Sequence, residues 1–137
     1  MKIYVDTNVF LRLLKDESLE EEKALIFDFF SKGWNCEFEI VLSSWTRSEF
    51  KRYLDEVHLT LLLQQFKNKG KFYFVSHSSK DTLLAKQKTS HWQDELHLML
   101  AIKSKSDVIV TLDKGFISYA SQVFDITYPE NALNQRS

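Results

Sequence analysis

Apolar and polar positions along this chain alternate between short continuous runs and stretches of helical period. Ile3, Tyr4 and Val5 form the first run and read as a strand, after which Val9, Phe10, Leu13 and Leu14 fall at helical spacing. Ser18-Leu19-Glu20-Glu21 matches a capping box ahead of Ala24, Leu25, Phe27, Phe29 and Phe30, with Gly33 as a stop, which predicts a helix over about 19–31. Residues 38–43 read as a second strand whose closing hydroxyls can cap a helix running through Trp45, Phe50 and Leu54. Residues 57–66 are helical by spacing and end near Gly70, and residues 72–75 form an aromatic strand candidate followed by a short helix over 82–88. Residues 92–102 are apolar on most sides, as a buried helix would be. A mostly apolar strand over 107–112 then closes at Asp113, a short helix is predicted over 116–119, and a last strand over 123–126 precedes a polar tail broken by Pro129.

Strands that alternate with helices imply a largely parallel sheet, because parallel neighbours need crossover connections and these are normally helical. The expected fold is a single α/β domain over residues 1–137, three-layered, with a mostly parallel sheet of about four to five strands and a loosely ordered tail over 128–137. In such sheets ligands bind beyond the carboxyl ends of the strands, so polar residues placed there carry the functional question.

Composition changes this picture in few places. Only 3 Gly and 1 Pro, with 44% hydrophobic residues, exclude a disordered or collagenous chain. A formal net charge of -1 supplies no global basic field, although a local rim of Lys and Arg around a cation would suffice to hold a phosphate backbone. The single cysteine, Cys36, has no intramolecular partner, and the opening MKIYVD lacks a secretory pattern, so a reducing, cytoplasmic setting is expected. No apolar run is long enough to predict a membrane span.

Four acids stand at informative places: Asp6 just after the first strand, Asp113 just after the fourth, Glu49 in the helix after the second, and Asp94 near the start of the buried helix. For any one of them a cap or a solvated face is the simpler reading. If strands one and four are neighbours, however, Asp6 and Asp113 lie close together, and like charges that near call for a proton or a cation. Hard oxygen donors suit Mg²⁺ or Mn²⁺ rather than Zn²⁺. The chemistry usually served by such a site is attack of water on a phosphodiester.

The combination resembles the PIN-domain family of metal-dependent ribonucleases, which includes many VapC-type toxins. IYVDTNVFLRLL resembles the family's opening strand and Asp-x-Asn, SSWTRSEFKRYL its strand-to-helix segment with a glutamate, DELHLMLA its Asp-x-x-His/Ile-x-x-x-Ala helix, and VIVTLDKGF its Val-Thr-x-Asp-x-x-Phe element. The resemblance implies metal ligation and catalysis by Asp6, Glu49, Asp94 and Asp113, with Mg²⁺ or Mn²⁺ as cofactor and with Asn8 and Thr111 holding the carboxylates or waters. Asp94 is preferred to Glu95 because its spacing to Ala101 fits the family pattern. An RNA substrate, a small antitoxin partner and a homodimer are implied in the same way. A housekeeping RNA-processing or structure-specific nuclease, and a binding module that does not cleave, are the alternatives.

His97, one turn after Asp94, reads more simply as a hydrogen-bonded core residue than as a catalytic one. Thr7 is assigned a structural role. Arg12, Arg47, Lys51, Arg52, Lys86, Lys88 and Lys114 are candidates for phosphate contacts, Arg12 and above all Lys114 being singled out, the latter for its place beside Asp113.

Overall fold

The computed structural model describes residues 1–15 and 20–133. The first strand, β1 (Lys2–Val5), runs into α1 (Thr7–Leu14), and α2 (Glu20–Trp34) leads to β2 (Glu39–Ser43). Then follow α3 (Ser44–Phe50), α4 (Glu56–Asn68), β3 (Phe72–Val75), α5 (Ser79–Lys88) and α6 (Trp92–Lys103). The chain continues through β4 (Val108–Val110), α7 (Lys114–Ala120) and β5 (Ile126–Thr127) to a 3₁₀ turn over Pro129–Asn131. The five strands form one sheet in the order β3-β2-β1-β4-β5, and every pairing is parallel. This is the three-layer α/β arrangement that the alternation of elements predicts.

Side chains on a strand alternate between the faces of the sheet, and here the alternation divides the core in two. Ile3, Val5, Ile40, Leu42, Val108 and Val110 pack with Phe10 of α1, Phe29 and Phe30 of α2, and Leu63 and Phe66 of α4. Tyr4, Val41 and Ile109 point the other way, onto Leu96 and Leu100 of α6, Phe116 of α7 and Trp45 of α3. Both faces of β1 are therefore covered, which is why Ile3, Tyr4 and Val5 form one continuous buried run.

Helix starts follow local chemistry. The side chains of Asp6, Ser43, Asp55, Ser78 and Asp113 each accept a backbone N–H in the first turn of α1, α3, α4, α5 and α7 respectively, satisfying donors that a helix leaves free at its start. The capping box expected from Ser18 falls on residues outside the described part of the chain. Two boundaries differ from expectation. α3 ends at Phe50 rather than reaching Leu54: beyond it the Arg52 and Tyr53 N–H groups turn back to the carbonyls of Glu49 and Phe50, and the extended Asp55 then caps α4. β5 begins at Ile126, the first residue to find a partner on β4, and Val123, expected within that strand, is 70% exposed. Of the tail expected to be loosely ordered, Pro129 and Ala132 are buried and Glu130 and Asn131 exposed, and residues 134–137 lie outside the described part. Among the described residues no helix is long and apolar enough to cross a membrane.

The chain steps from β1 outward to β2 and β3, then returns to place β4 on the opposite side of β1. The carboxyl ends of β1 and β4 thus flank a topological switch point, the place where open α/β sheets form a crevice.

Candidate metal centre

Register brings the first residues together. Val5 pairs with Val110, so the next residues, Asp6 and Thr111, emerge side by side, with the Asp6 N–H donating to the Val110 carbonyl at 2.9 Å. The Thr111 hydroxyl donates to Asp6 Oδ2 at 2.7 Å and accepts from Asn8 Nδ2 at 3.3 Å and from the Asp113 N–H at 3.1 Å. That exhausts its one proton and two lone pairs. Asn8 Oδ1 accepts from the Leu112 N–H at 3.1 Å, so Asn8 and Thr111 tie the β1–α1 junction to the β4–α7 loop.

Each expected acid has a distinct environment. Asp6 is buried and caps α1 by accepting the Thr7 N–H on Oδ1 at 2.7 Å. Burial raises its carboxyl above the usual value, against the His97 charge and the Thr111 hydrogen bond. Glu49, half-buried in α3, accepts the Thr7 hydroxyl at 2.7 Å and His97 Nε2 at 2.7 Å on the same oxygen, Oε1. Burial works against its ionisation, but the His97 hydrogen bond and charge, with Thr7 and Arg52, outweigh this and hold its carboxyl below the usual range.

Asp113 is exposed and caps α7 through Oδ1, which accepts the Gly115 N–H at 2.8 Å and the Phe116 N–H at 3.3 Å. Asp94, half-buried at the start of α6, finds no hydrogen-bond donor among the described residues. Its carboxyl is pushed up from 3.8 to about 6, first by burial and then by the charges of Asp113 and Asp6. Asp94 therefore feels the carboxylates that follow β1 and β4. Glu95, the neighbour of Asp94, faces elsewhere: it is buried, accepting from the Tyr119 hydroxyl at 2.7 Å and pairing with Lys88 at 3.3 Å.

His97 is the hydrogen-bonded core residue that the sequence predicts, and two of its partners are expected site acids. It is buried in α6, its Nε2 2.7 Å from Glu49 Oε1 and 3.3 Å from Asp6 Oδ1, while Nδ1 lies 2.6 Å from the Tyr4 hydroxyl. The Tyr4 hydroxyl is also 2.7 Å from Ser43 Oγ, which donates to Thr46 Oγ1 at 3.0 Å. A carboxylate only accepts, so the Glu49 contact puts a proton on Nε2 of His97, while Nδ1 meets the Tyr4 hydroxyl that Ser43 also engages. Burial alone would lower its pKa, but the Tyr4 oxygen, Asp6 and Glu49 raise it well above the usual histidine value. A polar residue inside the apolar run Ile3-Tyr4-Val5 was the available signal, since a buried tyrosine hydroxyl needs a partner.

Among the described residues, ligand atoms of Asp6, Glu49 and His97 lie within 4.8 Å of one another. His97 turns an Nε2–H to Glu49 and is a donor rather than a ligand there. Asp94 and Asp113 fall outside that group, Asp94 feeling the charges of Asp113 and Asp6. The oxygens of Asp6 and Glu49, with no thiolate among them, are of the hard kind that a divalent ion such as Mg²⁺ or Mn²⁺ prefers.

The cations divide as well. Arg12 of α1 is ion-paired with Glu22 of α2, and both line a cavity with Leu112 and Tyr128. Arg47 is paired with Glu56 at 3.0 Å. Arg52 stands close enough to Glu49 to stabilise its charge, and Lys114 is exposed beside Asp113.

A family model described as PIN domain matches residues 3–122. No curated protein matches the chain. The crystal structure of FitAcB from Neisseria gonorrhoeae is similar at a TM-score of 0.55 and 16% identity, covering 93% of this chain and 97% of that chain. At that identity the likeness speaks for the fold alone.

Proposed function

The chain belongs to the PIN-domain family, whose model spans residues 3–122, and from that premise we propose that it is a Mg²⁺- or Mn²⁺-dependent endoribonuclease, the toxin of a VapBC-type toxin–antitoxin pair. The observation that carries this reading is Asp94: a half-buried carboxylate without a hydrogen-bond donor among the described residues, raised to about 6 by burial and by Asp113 and Asp6. Such an arrangement costs stability unless a cation occupies it, and sites that accept this cost are commonly functional.

In the proposed reaction a bound Mg²⁺ or Mn²⁺ supplies the positive charge that neutralises the phosphodiester and makes water acidic enough to attack it. Asp6, Asp94 and Asp113 hold the ion. Glu49, fixed on one oxygen by Thr7 and His97, turns its other oxygen toward the crevice to orient the attacking water. Asn8 and Thr111 keep Asp6 and the β4–α7 loop in register. Lys114, and Arg52 on the Glu49 side, draw the phosphate backbone over the crevice; Arg12, paired with Glu22, is a weaker candidate. The partner in this reading is a small antitoxin protein that covers the crevice.

The test is cleavage of a labelled single-stranded RNA and of its DNA counterpart with Mg²⁺, with Mn²⁺ and with EDTA. RNA cleavage that requires the metal supports the reading, and equal cleavage of DNA points to a nuclease that ignores the 2′-OH. Metal binding without cleavage of diverse RNAs would identify a binding module instead.

A further inference from the structure

We propose that His97 is a positioning residue which, anchored from the core by Tyr4, fixes the Glu49 carboxylate so that Oε2 is the oxygen presented to the reaction; the inference rests on the nuclease reading above. Oε1 of Glu49 accepts two hydrogen bonds of 2.7 Å, from Thr7 and from His97 Nε2, which occupies both of its lone pairs. Oε2 has no hydrogen-bond donor among the described residues. The two donors come from different elements, α1 and α6, so the carboxylate plane is set by the packing of three helices rather than by α3 alone.

His97 can impose this because its ring has nowhere to turn. It is 2% exposed, and it packs edge-on to Tyr4 with ring centroids 5.6 Å apart, beside Trp45 at 6.3 Å and Phe116 at 6.2 Å. On the inner side Nδ1 is held 2.6 Å from the Tyr4 hydroxyl, itself bonded to Ser43 at 2.7 Å. Ser43 also caps α3, accepting the Thr46 N–H at 3.0 Å, the helix that carries Glu49. A closed circuit results: β1 supplies Tyr4, the end of β2 supplies Ser43, α6 supplies His97, and α3 receives both ends. Outer partners of this kind that orient a site carboxylate typically change metal affinity or activity by about 10–100-fold.

The test is a double-mutant cycle between His97→Gln and Glu49→Gln, with Tyr4→Phe as a second route that removes only the hydroxyl. Mn²⁺ affinity by calorimetry and kcat and KM on single-stranded RNA are read on each protein, after circular dichroism and thermal melting have established that it is folded. Positioning predicts that His97→Gln and Tyr4→Phe lower kcat or Mn²⁺ affinity by about 10–100-fold with KM for RNA little changed. It also predicts that the double variant is no worse than Glu49→Gln alone, because both changes act through one carboxylate. Additive losses, or folded His97→Gln and Tyr4→Phe proteins with wild-type kcat and metal affinity, overturn the inference while the nuclease reading stands. A wild-type protein that binds Mn²⁺ but cuts no RNA removes the nuclease reading and leaves the affinity cycle to decide the positioning. One that neither binds nor cuts overturns both.

Discussion

Replacing Asp94 by Asn tests the electrostatics of the crevice without touching its packing. The displacement of its carboxyl from 3.8 to about 6 corresponds by linkage to about 3 kcal/mol at neutral pH. Because Asp94 is only partly buried, solvent screening reduces this to about 1–2 kcal/mol. The sign follows from the raised value. Below pH 3.8 the acid is protonated in folded and unfolded chains alike and Asp94→Asn confers no advantage. As pH rises from there to about 6 the unfolded chain ionises first, so wild-type stability falls, and above about 6 the loss is complete. In EDTA at neutral pH the variant should therefore melt about 3–8 °C higher than wild type, an advantage that shrinks as the pH is lowered toward 3.8. Added Mn²⁺ should stabilise wild type and not the variant. A variant no more stable than wild type in EDTA, or an advantage that does not change with pH, would refute the reasoning.

Other expectations follow from single contacts. Asn8→Ala removes the bridge to Thr111 and Leu112 and should cost about 1–2 kcal/mol in urea denaturation and about 10-fold in Mn²⁺ affinity; an unchanged affinity would detach Asn8 from the site. Lys114→Ala should raise KM for RNA and flatten its salt dependence with kcat retained, and an unaltered salt slope would show that Lys114 meets no phosphate. A Cβ added at Gly33 would stand 2.4 Å from Phe66 and 2.7 Å from Phe38, so Gly33→Ala should destabilise by about 1–3 kcal/mol through overpacking. Its denaturation midpoint should fall while metal affinity in the folded protein does not change.

Continuous apolar runs made the buried strands β1 and β2 legible, and an aromatic run made β3 legible although it is an edge strand with Tyr73 and Phe74 exposed. β5 was displaced because Val123-Phe124-Asp125-Ile126 carries strand-forming residues, but bonding to β4 starts only at the Asp125 carbonyl and residue pairing at Ile126, and pairing is a tertiary fact. Asp6 and Asp113 could be placed at one edge from the sequence because both follow strands, but the register of β1 with β4 sets Asp6 beside Thr111, whose hydroxyl bonds both Asp6 and the Asp113 N–H. The relay behind Glu49 was not legible. Tyr4 and His97 are 93 residues apart in the chain, and each alone looks like a core residue. Only the crossing of α6 over the Tyr4 face of the sheet makes them partners. Likewise the side of α6 on which Asp94 and Glu95 fall was not legible in the sequence; Glu95 is engaged by Tyr119 and Lys88.

The central claim is that acids from β1, α3, α6 and β4 form one divalent-cation site. Calorimetric titration of Mn²⁺ into wild type and Asp6→Asn, each confirmed as folded by circular dichroism, tests it most directly. The account predicts saturable binding to wild type that is lost in Asp6→Asn together with RNA cleavage. Equal Mn²⁺ binding and cleavage by the two proteins would contradict it.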